Sequence, residues 1–338
     1  MTAKRGTPIN DWHDTYEADD PERLDRWLAE KLERPRNKVQ RWIRDGLVRV
    51  GSTGPATVKP SYTLQRGDMV ICRLPPPEPD PIVVAEPGVL RILHQDPHLV
   101  VLDKPAELAV HPGAGRSTGT MAHRILHHFP ETGQVGGPGR PGIVHRLDLG
   151  TTGCLVVART EAAYLGLTRA FANREIDKTY LAVVHGIPAT HATIDAPIAR
   201  HPQDRKKMTV RPSERGGKPA VSHYCRLASA GQVASLLAVD IETGRTHQIR
   251  VHLKYVGHPI VGDPVYGEAR WRGMPSRYQR PLRDFGRPAL HALRLAFAHP
   301  IDHSRIVVEA PVPDDMMKLW SSLGETGPFP ILSPANPE

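Results

Sequence analysis

The run "LPPPEPDP", residues 74–81, constrains this chain more than any other stretch. Proline lacks the N–H that a central strand must donate and breaks a helix interior, so a run this dense forms an extended, fairly stiff spacer. A domain boundary belongs there. The 338 residues also exceed the usual size of a single core, which independently favours two domains. The expected division is a flexible tail over residues 1–20, a small domain over 21–73, a proline-rich linker over 74–88, a large domain over 89–325 and a second tail over 326–338.

Ahead of the spacer, residues 1–20 lack periodicity and end in the acidic "EADD", the pattern of a mobile tail. Leu24, Trp27, Leu28 and Leu32 then fall at helical spacing, with Asp20 placed to cap the helix and Pro21 at its first position. A second helix carries Val39, Trp42 and Ile43 on one face and must leave Arg36, Lys38, Arg41 and Arg44 largely outside it. Gly46 ends that helix, and "LVRV", a turn-rich link including "GSTGPAT", and "GDMVICRL" follow as strand signals. The unit reads as helix-helix-hairpin. Residues 21–60 hold ten Lys and Arg against five acids, and the whole chain carries a formal charge of +8, a balance that favours polyanionic partners. A solvated helix face is the plainer account of the same charges.

Beyond the spacer, β-type runs recur ("LVVLDKP", "GCLVVA", "TYLAVVHG", "SLLAVDIETG") among fewer helical segments such as "TEAAYLGLTRAFANR". Strands that do not alternate regularly with helices predict an α+β domain with a largely antiparallel sheet. No apolar run reaches the length of a bilayer crossing and the first twenty residues are no secretion signal, so a cytoplasmic protein is expected. Cys72, Cys154 and Cys225 are far apart and odd in number. They suggest reduced thiols rather than a disulfide framework or a zinc site.

Asp148 lies in "HRLDLGTTG", just before an apolar strand; a lone Asp in such a turn most often caps or makes an Asx-turn. The segment "IETGRTHQIRVHLKYVGHPIVGDPVYG", residues 241–267, carries Arg245 and Arg250. A strand beginning at His247 would turn Ile249 and Val251 inward and Arg250 out toward a cleft. Lys178 and Tyr180 open the strand "DKTYLAVVHG".

"LVVLDKPAELAVHPGAG", "HRLDLGTTG", "DKTYLAVVHG", "ETGRTHQIRVHL" and "PALHALRLAFAHP", in that order, resemble the motifs of the RluA-type family of RNA pseudouridine synthases, from about residue 90 to about 315. The first unit resembles a small RNA-binding domain first described in a ribosomal small-subunit protein, departing from it at "ERPRNK" and "GSTGPAT". "IARHPQDRKKM" and "GKPAVSHY" are most similar to the branch acting on bacterial large-subunit ribosomal RNA. The resemblance implies the pseudouridine synthase fold and an isomerase that detaches uracil from ribose at N1, turns it and rejoins it through C5. Net redox change and hydrolysis are absent, so neither metal nor cofactor is implied.

It further implies Asp148 as the catalytic carboxylate, whether nucleophile or base for a ribose proton, Arg250 as its charge partner and Tyr180 as the aromatic face beside the base. Arg146 would fill the space left by the extruded nucleotide. His145, Arg245 and His247 near the site, with Arg36, Lys38, Arg41 and Arg44 in the first domain, would contact RNA. The expected partner is ribosomal RNA or the pre-ribosomal large subunit, and the expected state a monomer. Two competing readings are a non-catalytic RNA-binding assembly factor and the same reaction at another ribosomal or transfer RNA site. An aspartate-dependent hydrolase is disfavoured because "DLGTTG" lacks an Asp-Thr-Gly triplet and no second such loop is evident.

Overall fold

A computed structural model describes residues 10–34, 36–51, 58–75, 83–113, 115–137, 139–204 and 207–324. The expected turn at 52–57, the centre of the proline-rich linker and the tail from 326 lie outside these residues. The chain divides into two compact units, Met1–Asp80 and Pro81–Glu338.

In the first unit, β1 (Asn10–Thr15), β2 (Glu22–Arg23), α1 (Leu24–Lys31), α2 (Arg36–Arg44), β3 (Val48–Val50), β4 (Thr63–Leu64) and β5 (Met69–Leu74) follow in order. β5 pairs antiparallel with β1 on one side and β3 on the other. Residues 10–15 are therefore a strand, not the tail that their polarity suggested. Tyr16, just after that strand, packs into the same core as Leu24, Leu28, Val39, Ile43 and Val70. The helix also starts later than expected, at Leu24, because Glu22 and Arg23 pair with Leu64 and Thr63.

Asp25 sits fully buried on α1 and accepts hydrogen bonds from Arg23 (3.0 Å), Arg36 (2.9 Å) and Gln40 (2.6 Å). Burial alone would raise its pKa, but Arg23, Gln40 and Arg36 together bring it down to about 2. Arg36 thus ties α2 to α1 and is not simply a free surface cation. Arg41 and Arg44 do lie on the exposed side of α2, and Lys38 is half-buried beside Trp42.

The second unit runs β6 (Arg91–Gln95), β7 (Leu99–Lys104), α3 (Met121–His128), β8 (Thr152–Ala158), α4 (Glu161–Asn173), β9 (Asp177–His185), β10 (His191–Asp195), β11 (Ile198–Arg200), β12 (Met208–Val210), β13 (Val221–Ala230), β14 (Ala234–Ile241), α5 (Gln248–Tyr255), α6 (Ser276–Asp284), β15 (Leu290–Ala298), β16 (Arg305–Glu309) and α7 (Asp314–Ser322). Among the described residues, nine strands form one mixed sheet in the order β10-β13-β14-β9-β15-β8-β7-β6, with β16 also on β15. All pairings in it are antiparallel except β15 with β8. This is the α+β, largely antiparallel arrangement that the strand pattern predicted.

Alternate residues of β7 and β8 enter opposite cores. Val100, Leu102, Leu155 and Val157 pack with Met121 and Ile125 of α3, whereas Leu99, Val101, Val156 and Ala158 pack with Ala163 and Leu167 of α4. Both faces are covered, which is why these runs read as continuously apolar. Each enclosed Val or Leu contributes about 1.5–3 kcal/mol.

The sheet splits next to Asp148. β15 pairs with β8 only through His291 and Ala292, and from Arg294 onward β16 takes that edge. The junction demands glycine: Gly153 has φ +106, and a Cβ there would lie 2.2 Å from the Ala292 carbonyl oxygen. The loop carrying Asp148 enters β8 at this fork.

Candidate active site

Short polar contacts hold the Asp148 loop from several sides. Leu147 is buried in the main core, and the Asp148 carbonyl accepts from Thr151 N (3.1 Å). Gly150 N donates to Ala106 O (2.9 Å), and the Gly150 carbonyl accepts from Arg287 Nη1 (3.1 Å). Arg287 is fixed in turn by two bonds to Asp315, at 2.6 and 2.7 Å. Gly150 adopts φ +86 with Pro288 so close that a Cβ would lie 2.8 Å from its Cδ. The Ala106 segment is anchored by Lys104, whose wholly buried ammonium donates to Pro105 O and Leu108 O, both at 2.8 Å. Burial lowers the Lys104 pKa to about 8, with Glu107 and Asp148 opposing the shift.

Arg250 reaches Asp148 from a helix, not from the expected strand. Residues 248–255 form α5, and Arg250 occupies its first turn, 4% exposed. Its Nη1 donates to Asp148 Oδ2 at 3.1 Å, while Nε and Nη2 make a bidentate pair with Asp263 at 2.6 and 2.9 Å. Its guanidinium also lies 5.1 Å from the centre of the Tyr266 ring. Burial alone would lower the Arg250 pKa; Asp263 and Asp148 outweigh it and raise it. The pattern that beat the strand reading is Ile249 and Leu253, four apart and both in the main core, followed by Gly257 at φ +88.

Gln248 sets the start of α5. Its Oε1 accepts from Thr243 Oγ1 (2.7 Å) and Arg245 N (3.1 Å), and its Nε2 donates to Val221 O (2.9 Å) and Ser222 Oγ (3.0 Å). His247 sits before it at φ +57, its Nδ1 2.9 Å from the Tyr266 hydroxyl and its Nε2 4.0 Å from Asp148 Oδ2. Burial lowers the His247 pKa, against the pull of Asp148.

Asp148, Tyr180, Arg250, Arg146, Arg245 and His247 line one cleft with about 490 Å³ of empty space open to solvent. Tyr180 projects from β9 and is buried, and burial followed by the nearby Asp148 raises its pKa. Arg146 and Arg245 are exposed, and Arg245 Nε donates to Pro219 O at 3.2 Å. The geometry thus collects six of the seven expected site residues of this unit. It can hold a carboxylate against a fixed cation, face it with an aromatic ring and present guanidinium groups to an anion.

His145 is the exception, because its ring is committed to the fold. Nε2 accepts from Val156 N (2.9 Å), and the ring stacks on Phe171 with centroids 4.7 Å apart. Burial, then Lys178, push its pKa down to about 3, so it is a neutral acceptor and not a cation for phosphate. Sequence reasoning missed Asp263, which the turn "GDPVYG" could have flagged, and also missed Gln248 and Lys104.

These enclosed histidines make stability pH-dependent. Burial lowers His185 and His291 from 6.5 to about 4. Unfolded histidines take up protons below their ordinary pKa, which the folded rings resist, so stability is full above that value and falls as pH drops toward 4. Urea melts between pH 7 and 4.5 should show stability declining by roughly 1 kcal/mol per pH unit for each of these two rings. A flat profile would contradict their neutral burial.

Comparison with known proteins assigns the chain. Residues 98–255 match the RNA pseudouridylate synthase family and residues 22–70 match the S4 domain. The chain is 41% identical over 308 residues to an uncharacterized RNA pseudouridine synthase of Bacillus subtilis, YlyB, spanning 90% of this chain and 95% of that one. It is 41% identical over 306 residues to ribosomal large subunit pseudouridine synthase D of Xanthomonas campestris, covering 90% and 89% of the two chains. Against the enzyme of the same name from Escherichia coli K12 the identity is 40% over 303 residues, covering 88% and 89%. Human RNA pseudouridylate synthase domain containing 4 superposes with a TM-score of 0.54 at 25% identity, over 71% of this chain and 95% of that structure. Human domain containing 1 does so with a TM-score of 0.51 at 28% identity, over 71% and 98%. Matched along nearly the full length of such relatives, with Asp148, Tyr180 and Arg250 all inside the family segment, the chain belongs to the RNA pseudouridine synthases, isomerases of uridine in RNA.

Proposed function

We propose that this protein converts uridine to pseudouridine in large-subunit ribosomal RNA in the cytoplasm, with Asp148 as the reacting carboxylate and the target nucleotide turned out of its stack. The observation that carries this reading is the 3.1 Å pair of Asp148 with a buried Arg250 in a cleft faced by Tyr180. RNA binding alone has no use for a carboxylate set against a polyanion. The bacterial relatives named ribosomal large subunit pseudouridine synthase D support the choice of RNA.

Extruding a nucleotide costs a few kcal/mol, and stacking on an aromatic face returns about 1–3 kcal/mol. Tyr180 offers that face, and Arg146, exposed at the mouth, fills the gap left in the RNA. Tyr180→Ala should therefore weaken binding of a ribosomal RNA transcript by about 1–3 kcal/mol in a filter-binding assay, and Tyr180→Phe should keep most of that affinity. Equal binding by the alanine variant would remove Tyr180 from the base.

The S4 domain would add phosphate contacts, which bind without choosing the uridine. Replacing Arg41 and Arg44 together with Gln should flatten the slope of log affinity against log salt by roughly 2, with little change in turnover at saturating RNA. The direct test of the activity is tritium release from RNA labelled at uridine C5, followed by mapping of the modified positions in large-subunit ribosomal RNA from a strain lacking the gene. No release, or no missing pseudouridine, would overturn the reading. No helix among the described residues is long and apolar enough to cross a membrane.

A further inference from the structure

A second cleft, with about 1040 Å³ of empty space, adjoins the Asp148 cleft and shares the wall formed by Arg146, Tyr180 and Arg245. Phe171, Arg174 and Lys178 help close its far side. Lys178 is only 7% exposed. Among the described residues no carboxylate pairs with its ammonium and no acceptor bonds it. Neighbouring acids are engaged elsewhere: Asp177 with Arg305 at 2.6 Å, and Glu242 with Arg174 at 3.1 Å and His223 at 3.0 Å. The contact that remains is the Phe171 ring, whose centre lies 5.8 Å from Nζ.

The Lys178 stem is enclosed while its ammonium opens on the cleft, and an apolar side chain of similar length would serve the packing as well. The fold therefore gives no reason for a lysine, whereas an anion entering the cleft does. Lys178 and Tyr180 lie on the same face of β9, with Thr179 turned away to bond Asp240 at 2.6 Å. Two residues along a strand span about 7 Å, so an anion on Lys178 lies immediately beside whatever stacks on Tyr180. Arg146 and Arg245 continue the positive wall toward Asp148.

We propose that Lys178 seats the phosphodiester next to the nucleotide held in the Asp148 cleft, and so registers the RNA strand on the reacting carboxylate. This rests on the activity proposed above. It makes Lys178 a positioning residue that binds backbone and not base, as a compact point charge suits.

The test compares wild type, Lys178→Met and Lys178→Arg on an in vitro transcript of large-subunit ribosomal RNA, labelled at uridine C5, with affinity measured over a potassium chloride series. Lys178→Met should melt no lower than wild type, flatten the slope of log affinity against log salt by about 0.7–0.9, and raise KM on the order of tenfold. Lys178→Arg should restore most of the slope. An unchanged slope and KM, or a lower melting temperature with an unchanged slope, would show that Lys178 only packs on Phe171. Should Lys178→Met fail to fold, Lys178→Gln, neutral and able to hydrogen-bond, is read in the same way. Absence of tritium release by wild type would instead defeat the proposed activity, while the salt slope would still report on the phosphate site.

Discussion

Asp148→Asn is expected to bind ribosomal RNA and to release no measurable tritium from C5-labelled uridine, a loss on the order of 10³–10⁴ or more in turnover. The structure explains why this loss should not come from unfolding. Arg250 would lose its 3.1 Å bond to Asp148 but keep the bidentate pair with Asp263, so no buried charge is stranded. Thermal melts of the variant should stay within a few degrees of wild type. Residual activity within tenfold of wild type would remove Asp148 from the reaction, and the proposed chemistry would need another carboxylate.

The second large effect is at Asp263. Its side chain is fully buried, pairs twice with Arg250 and accepts from Val265 N (2.9 Å) and Tyr266 N (3.0 Å). Asp263→Ala leaves two backbone donors unmet and a guanidinium held by Asp148 alone. Breaking a buried pair in this way costs about 3–5 kcal/mol, which in a unit of this size lowers the melting temperature on the order of 10 °C. Activity should fall too, even at temperatures where the variant is folded, because Arg250 is no longer held in place beneath Asp148. Asp263→Asn keeps acceptors for the two N–H groups but not the charge, and should fall between. A melting temperature unchanged in Asp263→Ala would show that the Arg250 position does not depend on this carboxylate.

The contrast between Asp148 and Asp263 also marks how far local sequence could be read. Asp148 stood out only through the resemblance of five ordered motifs to a known family, since taken alone an Asp in that turn reads as a cap or Asx-turn. Asp263 sits in an ordinary Asp-Pro turn, and its importance comes from Arg250, thirteen residues earlier and one helix away. The same blindness affected Arg250 itself. Its alternation with Ile249 and Val251 mimics a strand, and the helix wins because Ile249 and Leu253 meet the main core while Gln248 binds Thr243, Val221 and Ser222. The packing role of His145 was missed for a related reason: neither its stacking on Phe171 nor its bond to Val156 N has a local signature. At the amino-terminal end, Asn10–Thr15 reads as a polar tail because an edge strand with one solvated face carries little apolar pattern, and its partner β5 lies over fifty residues away.

The sequence by itself determined the strand-rich α+β character of the second unit and the basic two-helix unit ahead of the prolines, because periodicity and charge spacing are written along the chain. Tertiary structure alone decided that Arg250 approaches from a helix, that Asp263 holds it, that His145 stacks on Phe171 and that Lys178 lines a cleft beside Tyr180. Those outcomes depend on which distant groups share a desolvated space, and the strength of an ion pair or the cost of an unpaired charge is set by that enclosure.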